Sequence, residues 1–81
     1  MAWFDFIWTP EIIEHLAAHD VSPEEFEEVV ENPLVRGTSR TSDYFTADGF
    51  TSAHRYIRCV YDLVDDVTVL PVTAHDLFDE D

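Results

Sequence analysis

The hydrophobic period of this chain changes from helical to strand-like at Asn32-Pro33. Before that point, apolar residues recur three and four apart behind two proline-started caps, as helices require. After it they alternate, as half-buried strands require. Only residues 2–8, with Trp3, Phe4, Phe6, Ile7 and Trp8, read as a strand ahead of the helices. A chain that keeps its helices and strands in separate blocks folds as α+β. The expected layout is an N-terminal strand, two helices, then a three- to four-stranded antiparallel sheet with the helices packed on one face. With 81 residues the chain makes one domain, expected over residues 1–75 with an acidic tail fraying at 76–81.

The local signals place each element. Thr9-Pro10-Glu11 supplies an N-cap, a proline at the first helical position and an acid in the first turn. A helix should run from Pro10 to about His19, with Ile12, Leu16 and His19 along one side and Ile13 and Ala17 beside them. Ser22-Pro23-Glu24-Glu25 starts the second helix, with Glu25 placed to close a capping box. Phe26, Val29 and Val30 form its apolar stripe, and Glu24, Glu27, Glu28 and Glu31 are expected to face solvent. Asn32-Pro33 ends it, because a residue before proline resists the helical region. Residues 34–36 and 44–46 read as short strands, and Asp48-Gly49 as a turn.

Residues 54–64 read as the strongest strand. Alternation puts Ile57, Cys59, Tyr61 and Leu63 on one face, and His54, Tyr56, Arg58, Val60 and Asp62 on the other. The chain then turns at Asp65-Asp66 and returns through 67–73, where Pro71 marks an edge or a break in pairing. A lone cysteine, Cys59, allows no internal disulfide and reads as a small buried hydrophobe.

Charge is segregated too. The chain carries 18 carboxylates against four arginines and no lysine, for a net charge of −14. All four cations, Arg36, Arg40, Arg55 and Arg58, lie in residues 34–61. An anion-binding or phosphoryl-transfer site must draw on that stretch alone. The surrounding field repels nucleic acid and favours a basic protein partner. Acidity also has a plainer reading, since it keeps a protein dispersed in concentrated salt. The chain shows no basic segment leading into an apolar one, and no apolar run near the roughly 18 residues that span a bilayer. A cytoplasmic protein with no membrane association is the expectation.

Two glycines rule against a glycine-rich phosphate loop, and no nucleophile elbow is present. No cofactor is expected. His15 and His19 sit four apart on the first helix, half of a zinc site. The segment His15-Leu16-Ala17-Ala18-His19 lacks the glutamate of the zinc-protease helix, and the expectation is no metal.

Several stretches, in order, resemble one family. They are Phe6-Ile7-Trp8, then His15 through Phe26 with its His19-Asp20-Val21-Ser22-Pro23 corner, then Asn32-Pro33, then Ala53 through Tyr61, then Val69 through His75. Together they resemble the BrnT-type toxins of type II toxin–antitoxin systems, which have the RelE-like ribonuclease fold. The likeness covers roughly residues 6–75 and rests on the order of its parts. The departures all move charge away from RNA binding. Ala18 stands where the family has a basic residue, Asp20 where it has glycine, and His75 where it has arginine. The chain has Phe78-Asp79-Glu80-Asp81 where a basic helix commonly follows.

The resemblance implies a metal-independent endoribonuclease, with activity weakened or lost. Such cleavage needs a base for the 2′-hydroxyl, a cation for the phosphorane and an acid for the leaving oxygen. Arg55 or Arg58 is the candidate cation, and His54, His75 or His19 the candidate base or acid. Tyr56 or Tyr61 is placed to stack a base or donate a proton. Arg36 and Arg40 join His19 and Tyr61 as candidate binding residues. Expected partners are an antitoxin or another basic protein, RNA against the field, or a second copy through an edge strand. The alternative is a non-catalytic protein-binding or regulatory module on the same fold.

Overall fold

The structure is a computed structural model and describes residues 4–39 and 43–77. The elements run β1 (Asp5–Phe6), α1 (Pro10–Ala17), α2 (Pro23–Glu31), β2 (Val35–Thr38), β3 (Phe45–Phe50), β4 (Tyr56–Leu63) and β5 (Thr68–Asp76). This is the expected α+β layout. The five strands form one sheet in the order β1-β5-β4-β3-β2. From β2 to β5 each strand pairs antiparallel with the next, as short links require. β1 joins β5 in parallel at the far edge. Both helices and the whole meander separate those two strands, which frees the chain to return in the same direction.

The helices cover one face. Leu16 of α1 and Phe26, Val29 and Val30 of α2 bury against Ala47, Ile57, Cys59, Tyr61, Val69 and Ala74 of the sheet. Phe26 is the hub: it meets the rings of Phe6 and Trp8 edge-on, with centroids at 6.4 and 5.6 Å. Cys59 is fully buried, and burial pushes its thiol pKa far above the usual range.

Both helix starts form as their sequences require. The Thr9 hydroxyl accepts from the Ile12 amide at 3.2 Å, and Ser22 and Glu25 close the capping box at 3.1 and 3.0 Å. The end of α1 differs from expectation. The helix stops at Ala17, and Asp20 takes a left-handed φ of 64°. The Val21 and Asp20 amides then bond the Leu16 and Ala17 carbonyls, the pair of bonds that closes a Schellman ending. His19 therefore lies in the terminal turn, exposed rather than on the apolar side.

Three further readings change. Among the described residues of the aromatic N-terminal stretch, only Asp5–Phe6 pairs as strand; Trp8 leaves the sheet and donates its indole N–H to Glu27 at 2.7 Å. Glu28 accepts from the Ser52 amide at 2.9 Å, so Glu27 and Glu28 are ties as well as solvated acids. Asp48-Gly49 is strand, not turn: the two residues pair with Arg58 and Ile57 inside β3. A Cβ at Gly49 would stand 3.4 Å from Pro33 Cα and Val29 Cγ1 at the end of α2, within van der Waals contact. The turn falls later, at Thr51–His54.

β5 carries the expected break at Pro71. The β4–β5 register shifts between Val60 and Tyr61, so Pro71 and Ala74 are both buried although three residues apart. β5 also continues through Asp76, paired with Ile57, where the sequence pointed to a fraying tail. Residues 78–81 of that tail, like Arg40, lie outside the described residues. Among the described residues no helix is long and apolar enough to cross a membrane.

Candidate functional site: the helix-free face of the sheet

Alternation that sends Ile57, Cys59 and Tyr61 into the core sends Tyr56, Arg58 and Val60 to the face no helix covers. The β3 residue opposite Arg58 is Asp48. Arg58 Nε and Nη2 donate to Asp48 Oδ1 and Oδ2, both at 2.9 Å, a fork-on-carboxylate pair. The two side chains differ in exposure, 43% for Arg58 and 8% for Asp48. The hydrogen bonds to Asp48 raise the Arg58 pKa further above its already high value. The positive charge is thus permanent, and the side chain stays partly exposed.

On the other side of β4, the register sets His75 opposite Arg58. Tyr56 lies two residues along the same face, its ring 4.8 Å from that of Phe50. Val35 and Phe50 are about half exposed at the β2–β3 side of this face. Arg58, His75 and Tyr56 therefore share a face, as alternation and the closing strand implied.

The other candidates do not join them. His54 was assigned to the same face as Arg58, but β4 begins only at Tyr56. His54 sits in the preceding turn with a left-handed φ of 65°, its amide bonded to the Thr51 carbonyl, so strand alternation does not reach it. Arg55 points its guanidinium to the opposite corner. It donates to Asp76 Oδ1 at 2.9 and 3.2 Å, to Glu25 Oε1 at 3.4 Å and to the Asp20 carbonyl. One side chain thereby ties the α1–α2 corner to the end of β5. A shallow depression of about 530 Å³ at this corner is lined by Ile13, Ala17, Pro23, Glu25 and Arg55.

Tyr61 and Arg36 lie on the helix-covered face. Tyr61 is buried, with its ring stacked on Phe45 and its hydroxyl accepting from Arg36 Nη1 at 3.1 Å. Arg36 Nη2 donates to the Val30 carbonyl at 3.0 Å, near the end of α2 where a cation is favoured. Its guanidinium also lies 5.8 Å from the Phe4 ring. His19 stands beside His15 at the end of α1, their ring centroids 5.3 Å apart.

Two contributors escaped the sequence reading. Asp48 looked like half of a turn, and only its register in β3 reveals it as the carboxylate that holds Arg58. Thr73 carried no signal either, although its hydroxyl meets His15 Nε2 at 2.9 Å. Among the described residues, no group of three or more His, Cys, Asp or Glu is arranged to hold a metal ion.

The chain matches no protein-family model, no curated protein and no solved structure.

Proposed function

We propose that this chain is a divergent relative of the BrnT/RelE-like toxins that acts as a non-catalytic protein-binding module for a basic partner, docked on the helix-free sheet face. The observation that carries this reading is the commitment of every described arginine to an acceptor within the chain. Arg58 forks onto Asp48, Arg55 is shared among Asp76, Glu25 and the Asp20 carbonyl, and Arg36 caps Val30 and Tyr61. A phosphorane needs an uncompensated cation aimed at the developing charge. Arg58 spends two of its five N–H donors on a carboxylate only 8% exposed, and that carboxylate compensates its charge toward an incoming phosphate.

Charge complementarity supports a basic occupant. A net charge of −14 repels a second copy of this chain and nucleic acid alike, and attracts a basic surface. The face itself offers Val35, Phe50 and Tyr56 as apolar and aromatic contacts beside one neutralised ion pair. An antitoxin is the kind of partner the resemblance implies.

A second reading, a ribonuclease of a toxin–antitoxin system, has one observation in its favour: Arg58, His75 and Tyr56 share the open face.

Titration with labelled RNA and with a labelled ten-residue peptide of alternating arginine and valine, at low and moderate salt, separates the two. The binding module predicts salt-sensitive peptide binding that weakens in Phe50→Ser, with no RNA binding or cleavage. RNA cleavage that disappears in Arg58→Ala would overturn it and establish the ribonuclease.

A further inference from the structure

The histidine pair at the end of α1 takes no part in the open sheet face. His15 lies in the last turn of the helix and His19 follows it by four residues, and both are exposed. Their ring centroids are 5.3 Å apart with an interplanar angle of 70°. Metal–nitrogen bonds of about 2.0–2.1 Å put two imidazole centroids about 5 Å apart when they share one tetrahedral ion. The observed spacing of the two ring centroids matches that distance.

Thr73 adds an orienting contact. Its hydroxyl is 2.9 Å from His15 Nε2, across from the helix on β5. A ligating imidazole is commonly held through its other nitrogen, which sets the tautomer and the ring plane. With Nε2–H donating to Thr73 Oγ1, Nδ1 of His15 carries the lone pair. The register shift between Val60 and Tyr61 resets the alternation of β5 just before Thr73.

We propose that His15 and His19 form a two-imidazole chelate for a late first-row divalent cation, Zn²⁺, Ni²⁺ or Cu²⁺, with Thr73 as the positioning residue for His15. Imidazole pairs favour these ions over Mg²⁺ and Ca²⁺, which take oxygen ligands. No third side chain closes the site among the described residues. The remaining coordination positions therefore go to water or to a donor on an incoming molecule.

The test is calorimetric titration of the full chain with Ni²⁺ and Zn²⁺ at neutral pH, with millimolar Mg²⁺ present to occupy the many carboxylates. One ion should bind per chain. His15→Ala and His19→Ala should each weaken binding by about tenfold or more, and Thr73→Val by roughly tenfold. Both histidines are exposed, so circular dichroism and urea midpoints of their variants should match the parent. Absence of saturable binding below about 100 μM, a level far weaker than chelation gives, would overturn the proposal. So would retention of full affinity in either histidine variant, which would assign the metal to carboxylates or to a single imidazole.

Discussion

The two faces of the sheet are made by the same four antiparallel strands and solve opposite problems. On the covered face, Ala47, Ile57, Cys59 and Ala74 meet Leu16, Phe26, Val29 and Val30, all buried. The bare face holds the Arg58–Asp48 pair, His75, and the Phe50 and Tyr56 rings. Burial of apolar surface makes the first face the source of stability. The second is held by hydrogen-bonded charge, whose net contribution is small unless one partner is removed. A chain this acidic thus keeps an arginine on its open face by burying a carboxylate beside it.

The largest effect should come from the covered face. Phe26→Ala removes the ring on which Phe6 and Trp8 converge, and should cost about 3–5 kcal/mol in urea unfolding. On the bare face, the partners of one ion pair should respond unequally. Arg58→Ala leaves the nearly inaccessible Asp48 carboxylate without its fork and should cost about 2–3 kcal/mol. Asp48→Ala leaves an arginine that can turn to water and should cost less. Equal costs in the two variants would mean that the asymmetry of burial does not govern the pair.

Next comes the device that holds a helix over the covered face. Ser22→Ala opens the capping box and should cost about 1 kcal/mol, read from the thermal midpoint. By contrast, Val35→Ser on the bare face should change stability by no more than about 0.5 kcal/mol, because its side chain is already half exposed. A larger loss there would show that the open face is part of the folding core.

The smallest effect belongs to the β4–β5 turn. The Val67 amide and Thr68 hold the Asp65 carboxyl below the usual carboxylate range. Its pKa is lower folded than unfolded. The stability it contributes is therefore present above the unfolded carboxylate pKa of about 3.9 and is lost as pH falls through the depressed folded value. The stability difference between the parent and Asp65→Ala should accordingly be constant near neutrality and shrink in acid. A difference that persists through that range would remove the carboxylate from the turn's energetics.

Much of this fold was legible in particular residues. Thr9-Pro10 and Ser22-Pro23 start helices because a hydroxyl and a proline satisfy the first turn locally. The alternation of Ile57, Cys59 and Tyr61 named the buried face of β4, and Pro71 named the point where pairing slips. Asp48-Gly49 misled because the two residues lie inside β3, paired with Arg58 and Ile57, and the turn falls after them. His54 misled because alternation carries no mark of where a strand begins.

The candidate site divides in the same way. That Arg58, Tyr56 and His75 share a face follows from period and order. That Asp48 neutralises Arg58, that Arg55 braces the α1–α2 corner against Asp76, and that Thr73 reaches His15 follow from register.

The sequence by itself therefore determined the elements, their order, the helix caps, the buried stripe and the acidic field, because each depends on neighbours a few residues apart. Only the tertiary structure decided which acceptor each described arginine meets, that β1 closes the sheet in parallel, and that His15 of α1 meets Thr73 of β5. Those partners lie as far apart along the chain as Asp5 and Thr68. Their meeting depends on strand register and helix placement, which no local pattern encodes.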